Sequence, residues 1–257
     1  MAGAVLASGL VGSGCRSTTT RHDARLSARP SVTVTTAPAG THPLRLRDGR
    51  DGILHLPHAS DDGPLALIVL CHGAGGTGDE FFGYLAESVT SWRAAILAPD
   101  AAGSTWDAIL AEQQTVADLI TGGRRFVGFG PDVTFLDRAL ERVFATVAVD
   151  PMRIAIAGFS DGATYALSLG LINGDLFPRI VAFSPGFVVA GEAHGRPEIF
   201  VSHGRADRIL PIDRASRRIV PELKRRGYPV TYREFDAGHH VPADIAREGL
   251  TWAVRTI

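Results

Sequence analysis

Apolar positions recur along the chain in two rhythms. Apolar-rich runs of strand length stand at 65–71, 94–98, 154–157, 180–183, 198–201 and 230–235. Between them lie segments with helical spacing, at 79–91, 132–148, 162–173, 212–227 and 243–255. Strand-like runs separated by helices imply parallel pairing through right-handed crossovers. The expectation is an α/β fold, a mostly parallel twisted sheet with helices on both faces. Ahead of it, the short apolar runs 44–46 and 53–56 flank Asp48-Gly49 and Asp51-Gly52, which predicts an N-terminal β-hairpin. Sheets of this kind bind ligands at the carboxyl ends of their strands, so candidate chemistry should follow strands directly. One long interruption, 103–130, holds Trp106, Gln113, Gln114, Gly122, Gly123, Phe126 and Phe129. Its glycines and aromatics suit a flap over a site.

Composition narrows the picture. The chain has 257 residues and 45% hydrophobic content. A mean hydropathy of +0.10 fits one compact α/β domain, placed at 43–257. The formal net charge of −1 provides no global field toward nucleic acid or an anionic membrane. Arg217, Arg218, Lys224, Arg225 and Arg226 read as a solvated helix face. No apolar stretch reaches eighteen residues, so no transmembrane helix is expected.

Two cysteines, Cys15 and Cys71, give no disulfide framework, and Cys71 ends an apolar run as a small core residue. Residues 1–15 resemble the end of a bacterial lipoprotein signal in which Cys15 would carry the lipid. The lack of a preceding basic residue, and Gly12 in place of a larger apolar one, depart from that pattern. Export or lipid anchoring in a bacterium is thus one expectation, and a cytoplasmic protein the alternative. Residues 16–42, rich in Ser, Thr, Arg, Ala and Pro, read as a flexible linker that belongs with the signal-like segment as a 1–42 unit.

The stretch with most chemical content is 154–163, IAIAGFSDGA. An apolar strand runs into Gly158-Phe159-Ser160-Asp161-Gly162, and a helix-forming segment follows at once. Strand, sharp turn and helix are the setting in which Gly-x-Ser-x-Gly becomes a nucleophile elbow. Ser160 then stands at a strand end above a helix N-terminus, whose free N–H groups favour negative charge. A serine hydroxyl needs an imidazole to accept its proton. Four histidines follow Ser160: His194, His203, His239 and His240. His239 comes after strand 230–235 through Asp236-Ala237-Gly238, on a loop able to reach back; His240 is its adjacent competitor. The carboxylate that would orient the imidazole is expected after strand 198–201. Asp207 lies on that loop, whereas Asp213, just past Pro211, reads as a helix opener. His203-Gly204 reads as a structural turn. Oxyanion donors are expected from the Asp161 backbone N–H and from Ala74 or Gly75 in the loop His72-Gly73-Ala74-Gly75-Gly76. That loop lacks the lysine and spacing of a phosphate cradle. No His/Cys/Asp cluster has metal-ligand spacing.

Together, His72 to Gly76, Trp106-Asp107, Gly158 to Gly162, Asp207 with Pro211, and Gly238-His239 with Pro242 resemble an α/β-hydrolase. The likeness is to the phospholipase/carboxylesterase type, close to polyhydroxybutyrate-depolymerase-like esterases, and runs from about residue 44 to the C-terminus. Ala237 departs from it, standing where relatives often carry a second glycine. The resemblance implies the α/β-hydrolase fold with no large cap domain. It also implies hydrolysis of small or soluble carboxylic esters by Ser160, His239 and Asp207, without metal or cofactor. Polyester depolymerase or peptidase activity on the same three residues is an alternative, as is a hydrolase fold kept as a binding module. Trp106 is expected at the strands' carboxyl edge, as a wall of the substrate pocket or as a core tryptophan under the long loop.

Overall fold

The computed structural model describes residues 24–31, 37–58, 63–89, 93–110 and 128–256. Eight strands form one sheet: β1 (Gly40–Pro43), β2 (Gly52–Leu56), β3 (Leu65–Cys71), β4 (Ala94–Pro99), β5 (Val149–Phe159), β6 (Arg179–Phe183), β7 (Glu198–Gly204) and β8 (Val230–Phe235). Their order across the sheet is β1-β2-β4-β3-β5-β6-β7-β8. β1 pairs antiparallel with β2, and β2 with β4; every pair from β4 onward is parallel. The helices are α1 (Gly78–Val89), α2 (Pro131–Thr146), α3 (Asp161–Ile172), α4 (Ser216–Arg225) and α5 (Ala243–Val254).

The unbroken apolar runs follow from this layering, since a central strand covered on both sides needs apolar residues at every position. In β3, Leu67, Val69 and Cys71 join the core shared with α2, α3 and α4, while Ala66, Ile68 and Leu70 join the one shared with α1 and α5. α3 is apolar almost all round because it is buried along its whole length, Gly162 to Ile172.

Three expectations change. The hairpin is present, but its first strand is 40–43. Residues 44–46 instead enter a loop whose amides, at Arg45, Leu46 and Arg47, donate to the Asp51 carboxylate. The single helix expected over 212–227 divides into a 3-10 turn, Ile212–Arg214, and α4. Residues 24–31 are no loose linker. Leu26 is 2% exposed, its N–H donates to Asn173 Oδ1 at 2.9 Å, and Asn173 Nδ2 donates to the Ala24 carbonyl. Arg25 and Arg29 both pair with Asp175, and the Ser27 and Ala28 amides donate to Asp137. Polar groups more than 100 residues away thus hold a strap that carries no regular secondary structure. Leu26→Ala should therefore cost about 2–5 kcal/mol. Denaturant unfolding checks this; a midpoint equal to the parent's would restore the linker reading.

Residues 1–23, including Cys15, and 111–127, most of the expected flap, lie outside the described residues. No helix among the described residues is long and apolar enough to cross a membrane.

Candidate active site

β5 ends at Phe159 and α3 begins at Asp161, leaving Ser160 alone to make the turn, at φ 56° and ψ −119°. A side chain with a Cβ rarely adopts this region, and the surroundings hold it there. The Ser160 N–H donates to the Phe183 carbonyl at 2.9 Å, and its own carbonyl accepts from Thr164. Both motif glycines are sterically required. A Cβ at Gly162 would lie 2.0 Å from the Cys71 carbonyl oxygen, and one at Gly158 would lie 2.2 Å from that of Gly162.

The loops after β7 and β8 bring the partners. His239 Nε2 lies 2.8 Å from Ser160 Oγ, and His239 Nδ1 lies 2.6 Å from Asp207 Oδ2. Asp207 Oδ1 accepts from the Ile209 and Leu210 amides at 2.9 and 2.8 Å. The two loops meet because Gly204 has no side chain: a Cβ there would stand 2.3 Å from the Gly238 carbonyl oxygen. Burial pushes the Asp207 carboxyl up, but the His239 hydrogen bond and the Leu210 and Ile209 amides outweigh it and hold the group below its ordinary value. It stays ionised at neutral pH. A hydroxyl, an imidazole and a carboxylate joined in this line can move a proton off the hydroxyl.

The competitors stand elsewhere. His240 is exposed, with its ring edge-on to Phe235. Asp213 pairs with Arg217 on the outer surface. His203 was expected to be only part of a turn; its ring is buried and its Nε2 lies 3.2 Å from Asp207 Oδ2. The four-residue separation of His203 and Asp207 across a strand end was the available signal.

The loop after β3 passes beside the nucleophile: a Cβ on Gly73 would come within 3.5 Å of that of Ser160. Of the expected oxyanion donors, Gly75 has its N–H engaged by the Ser104 carbonyl at 2.6 Å. Ala74 makes no backbone hydrogen bond of that kind among the described residues. Asp161 opens α3, where a first-turn N–H has no partner within the helix. The Asp161 carboxylate accepts from Thr105 Oγ1 at 2.6 Å.

Trp106, expected as a pocket wall or a core tryptophan, is buried in the core. It is 1% exposed and stacks on Tyr165 at 4.5 Å between ring centroids, and its Nε1 donates to the His72 carbonyl at 2.8 Å. His72 extends this support, donating from Nδ1 to the Gly73 carbonyl and accepting the Ala101 N–H at Nε2. Burial lowers the His72 pKa and leaves the ring neutral, as these two bonds require. Asp107 and Asp132 tie the same loop to α2, each accepting the other's amide. Burial and then the Asp132 charge push the Asp107 carboxyl up to about 6.

Among the described residues no group of three or more His, Cys, Asp or Glu side chains could hold a metal ion.

Residues 134–243 match the model of the phospholipase/carboxylesterase family. Comparison with curated proteins returns no match. Among solved structures, S-formylglutathione hydrolase of Staphylococcus aureus superposes with a TM-score of 0.61 at 14% identity, covering 86% of this chain and 100% of that one. Esterase PE8 gives 0.59 at 21% identity, covering 79% and 97%. A phospholipase/carboxylesterase from Dyadobacter fermentans gives 0.56 at 21%, covering 80% and 97%. The chain has the α/β-hydrolase fold, and Ser160, Asp207 and His239 all lie in the stretch that matches the phospholipase/carboxylesterase model.

Proposed function

We propose that the chain is a serine carboxylesterase acting on small or soluble carboxylic esters. The observation that carries this is the continuous line from Ser160 Oγ through His239 to Asp207, with spacings of 2.8 and 2.6 Å. His239 Nε2 takes the hydroxyl proton as Oγ attacks the ester carbonyl carbon. The negative charge that forms on the carbonyl oxygen is met by the Asp161 and Ala74 N–H groups. His239 then hands its proton to the departing alcohol, leaving an acyl group on Oγ. A water molecule repeats the sequence: His239 takes its proton, the acid departs, and Oγ recovers its hydrogen. Asp207 remains a carboxylate throughout, fixing the imidazole tautomer and stabilising the imidazolium.

The family match over residues 134–243 and the esterases among the structural relatives support an ester as substrate. Ile209, two residues past Asp207, is a solvent-facing apolar side chain, 69% exposed, on the loop that carries the carboxylate. The motif likeness to polyhydroxybutyrate-depolymerase-like esterases makes polyester cleavage the variant to include in any test.

A panel of p-nitrophenyl esters of rising chain length, assayed with and without EDTA, tests the reading. Turnover of the short esters, unaffected by the chelator, is expected. No turnover of any ester, or turnover restored by a divalent ion, would sink it. On the best ester, His239→Ala should lower kcat by roughly a million-fold. His240→Ala should stay within about threefold, because its ring lies against Phe235 and not Ser160. The reverse ranking would move the base to His240.

A further inference from the structure

A second histidine reaches the Asp207 carboxylate. His203, near the end of β7, and Ser216, first residue of α4, are both 0% exposed. His203 Nε2 lies 2.8 Å from the Leu210 carbonyl oxygen and 3.2 Å from Asp207 Oδ2. A carbonyl and an ionised carboxylate can only accept, so this nitrogen carries the proton. Nδ1, 2.7 Å from Ser216 Oγ, is then the acceptor, and the serine hydroxyl donates to it. One tautomer is fixed from both sides of the ring. Burial lowers the pKa of His203 more than the Leu210 carbonyl and Asp207 raise it, so the ring is neutral. The titratable groups acting on it are Asp207 and His239.

Asp207 Oδ2 therefore accepts a ring N–H from His239 at 2.6 Å and has His203 Nε2, whose N–H is hydrogen-bonded to the Leu210 carbonyl, 3.2 Å away, while Oδ1 receives two amides. N–H groups that face one oxygen draw on the same negative charge, and each interaction is weaker for the other's presence. We propose that His203, held in its Nε2–H tautomer by the Leu210 carbonyl, is a positioning residue whose N–H faces Asp207 Oδ2 beside His239 and so limits how strongly that carboxylate holds the His239 proton. This rests on the esterase reading of Ser160. A purely structural histidine, tying the Leu210 loop to α4, would support folding without altering proton affinity at the site.

The experiment compares the parent with His203→Leu, which deletes the donor, and His203→Gln, whose amide nitrogen can stand in for Nε2–H. In the parent, imidazole nitrogen NMR at neutral pH should show His203 as the neutral Nε2–H form. In His203→Leu, the acid limb of kcat/KM should move to higher pH by roughly half a unit or more. The His239 Nδ1 proton resonance should move downfield with it, and both should return toward the parent in His203→Gln. An Nδ1–H or charged His203 in the parent overturns the proposal, as does an acid limb that stays put or moves to lower pH. Should His203→Leu fail to fold, Ser216→Ala decides. Without the Ser216 hydroxyl the ring is held from one side only, so a smaller shift of the limb in the same direction is expected, and an unchanged limb is contrary. The tautomer and the Nδ1 resonance need no substrate. A failure of the esterase reading, seen as Ser160→Ala keeping parental activity, is therefore distinguishable from a failure of this one.

Discussion

Ser160→Ala should reduce kcat on the best ester by roughly a million-fold while leaving the fold intact. The size follows from the proposed chemistry: without Oγ there is no acyl-enzyme, and His239 loses the group whose proton it takes. The fold should survive because the serine is held mainly through its backbone, by the bond to the Phe183 carbonyl and by the Gly158 and Gly162 contacts. Alanine keeps the Cβ and must adopt the same φ of 56°. The melting temperature should thus stay close to the parent's. Activity within tenfold of the parent, in protein free of contaminating esterase, would remove Ser160 from the chemistry.

Trp106→Ala should cost about 3–5 kcal/mol of stability, the range for truncating a buried aromatic. The ring is 1% exposed, stacks on Tyr165, and anchors the His72 carbonyl through Nε1. Since His72 leads directly into the loop that bears Ala74, the same change should loosen the oxyanion side of the site for every substrate alike. Rates on short and long esters should fall together, with the chain-length profile preserved. Trp106→Phe should recover packing but not the hydrogen bond to His72, and should land between the two. An altered profile at parental melting temperature would return Trp106 to a pocket wall.

The parts of the site that were legible in the sequence are those fixed by local chain order. Ser160, Asp207 and His239 each follow a strand directly, and Gly158 and Gly162 mark the turn whose close approach tolerates no side chain. What was not legible depends on contacts from far along the chain. The Gly75 N–H is engaged by the Ser104 carbonyl from another loop. The pattern of a glycine loop carries no information about that. Trp106 looks the same in sequence whether it lines a pocket or fills the core; its stacking on Tyr165 of α3 and its bond to the His72 carbonyl come from distant parts of the chain. Residues 24–31 have the composition of a linker, and only Asp137, Asn173 and Asp175 make them a strap. His203 read as a turn because its partners, Ser216 and the Leu210 carbonyl, lie beyond the strand that carries it.

The central claim is that Ser160 is a nucleophile activated by His239. Treating the parent with a fluorophosphonate probe and mapping the adduct by peptide mass spectrometry tests it most directly, since such probes react with activated serines and not with ordinary ones. One adduct on the peptide containing Ser160 is expected, formed in step with loss of ester hydrolysis and greatly slowed in His239→Ala. An adduct elsewhere, or a Ser160 adduct that forms as fast in His239→Ala as in the parent, would contradict it.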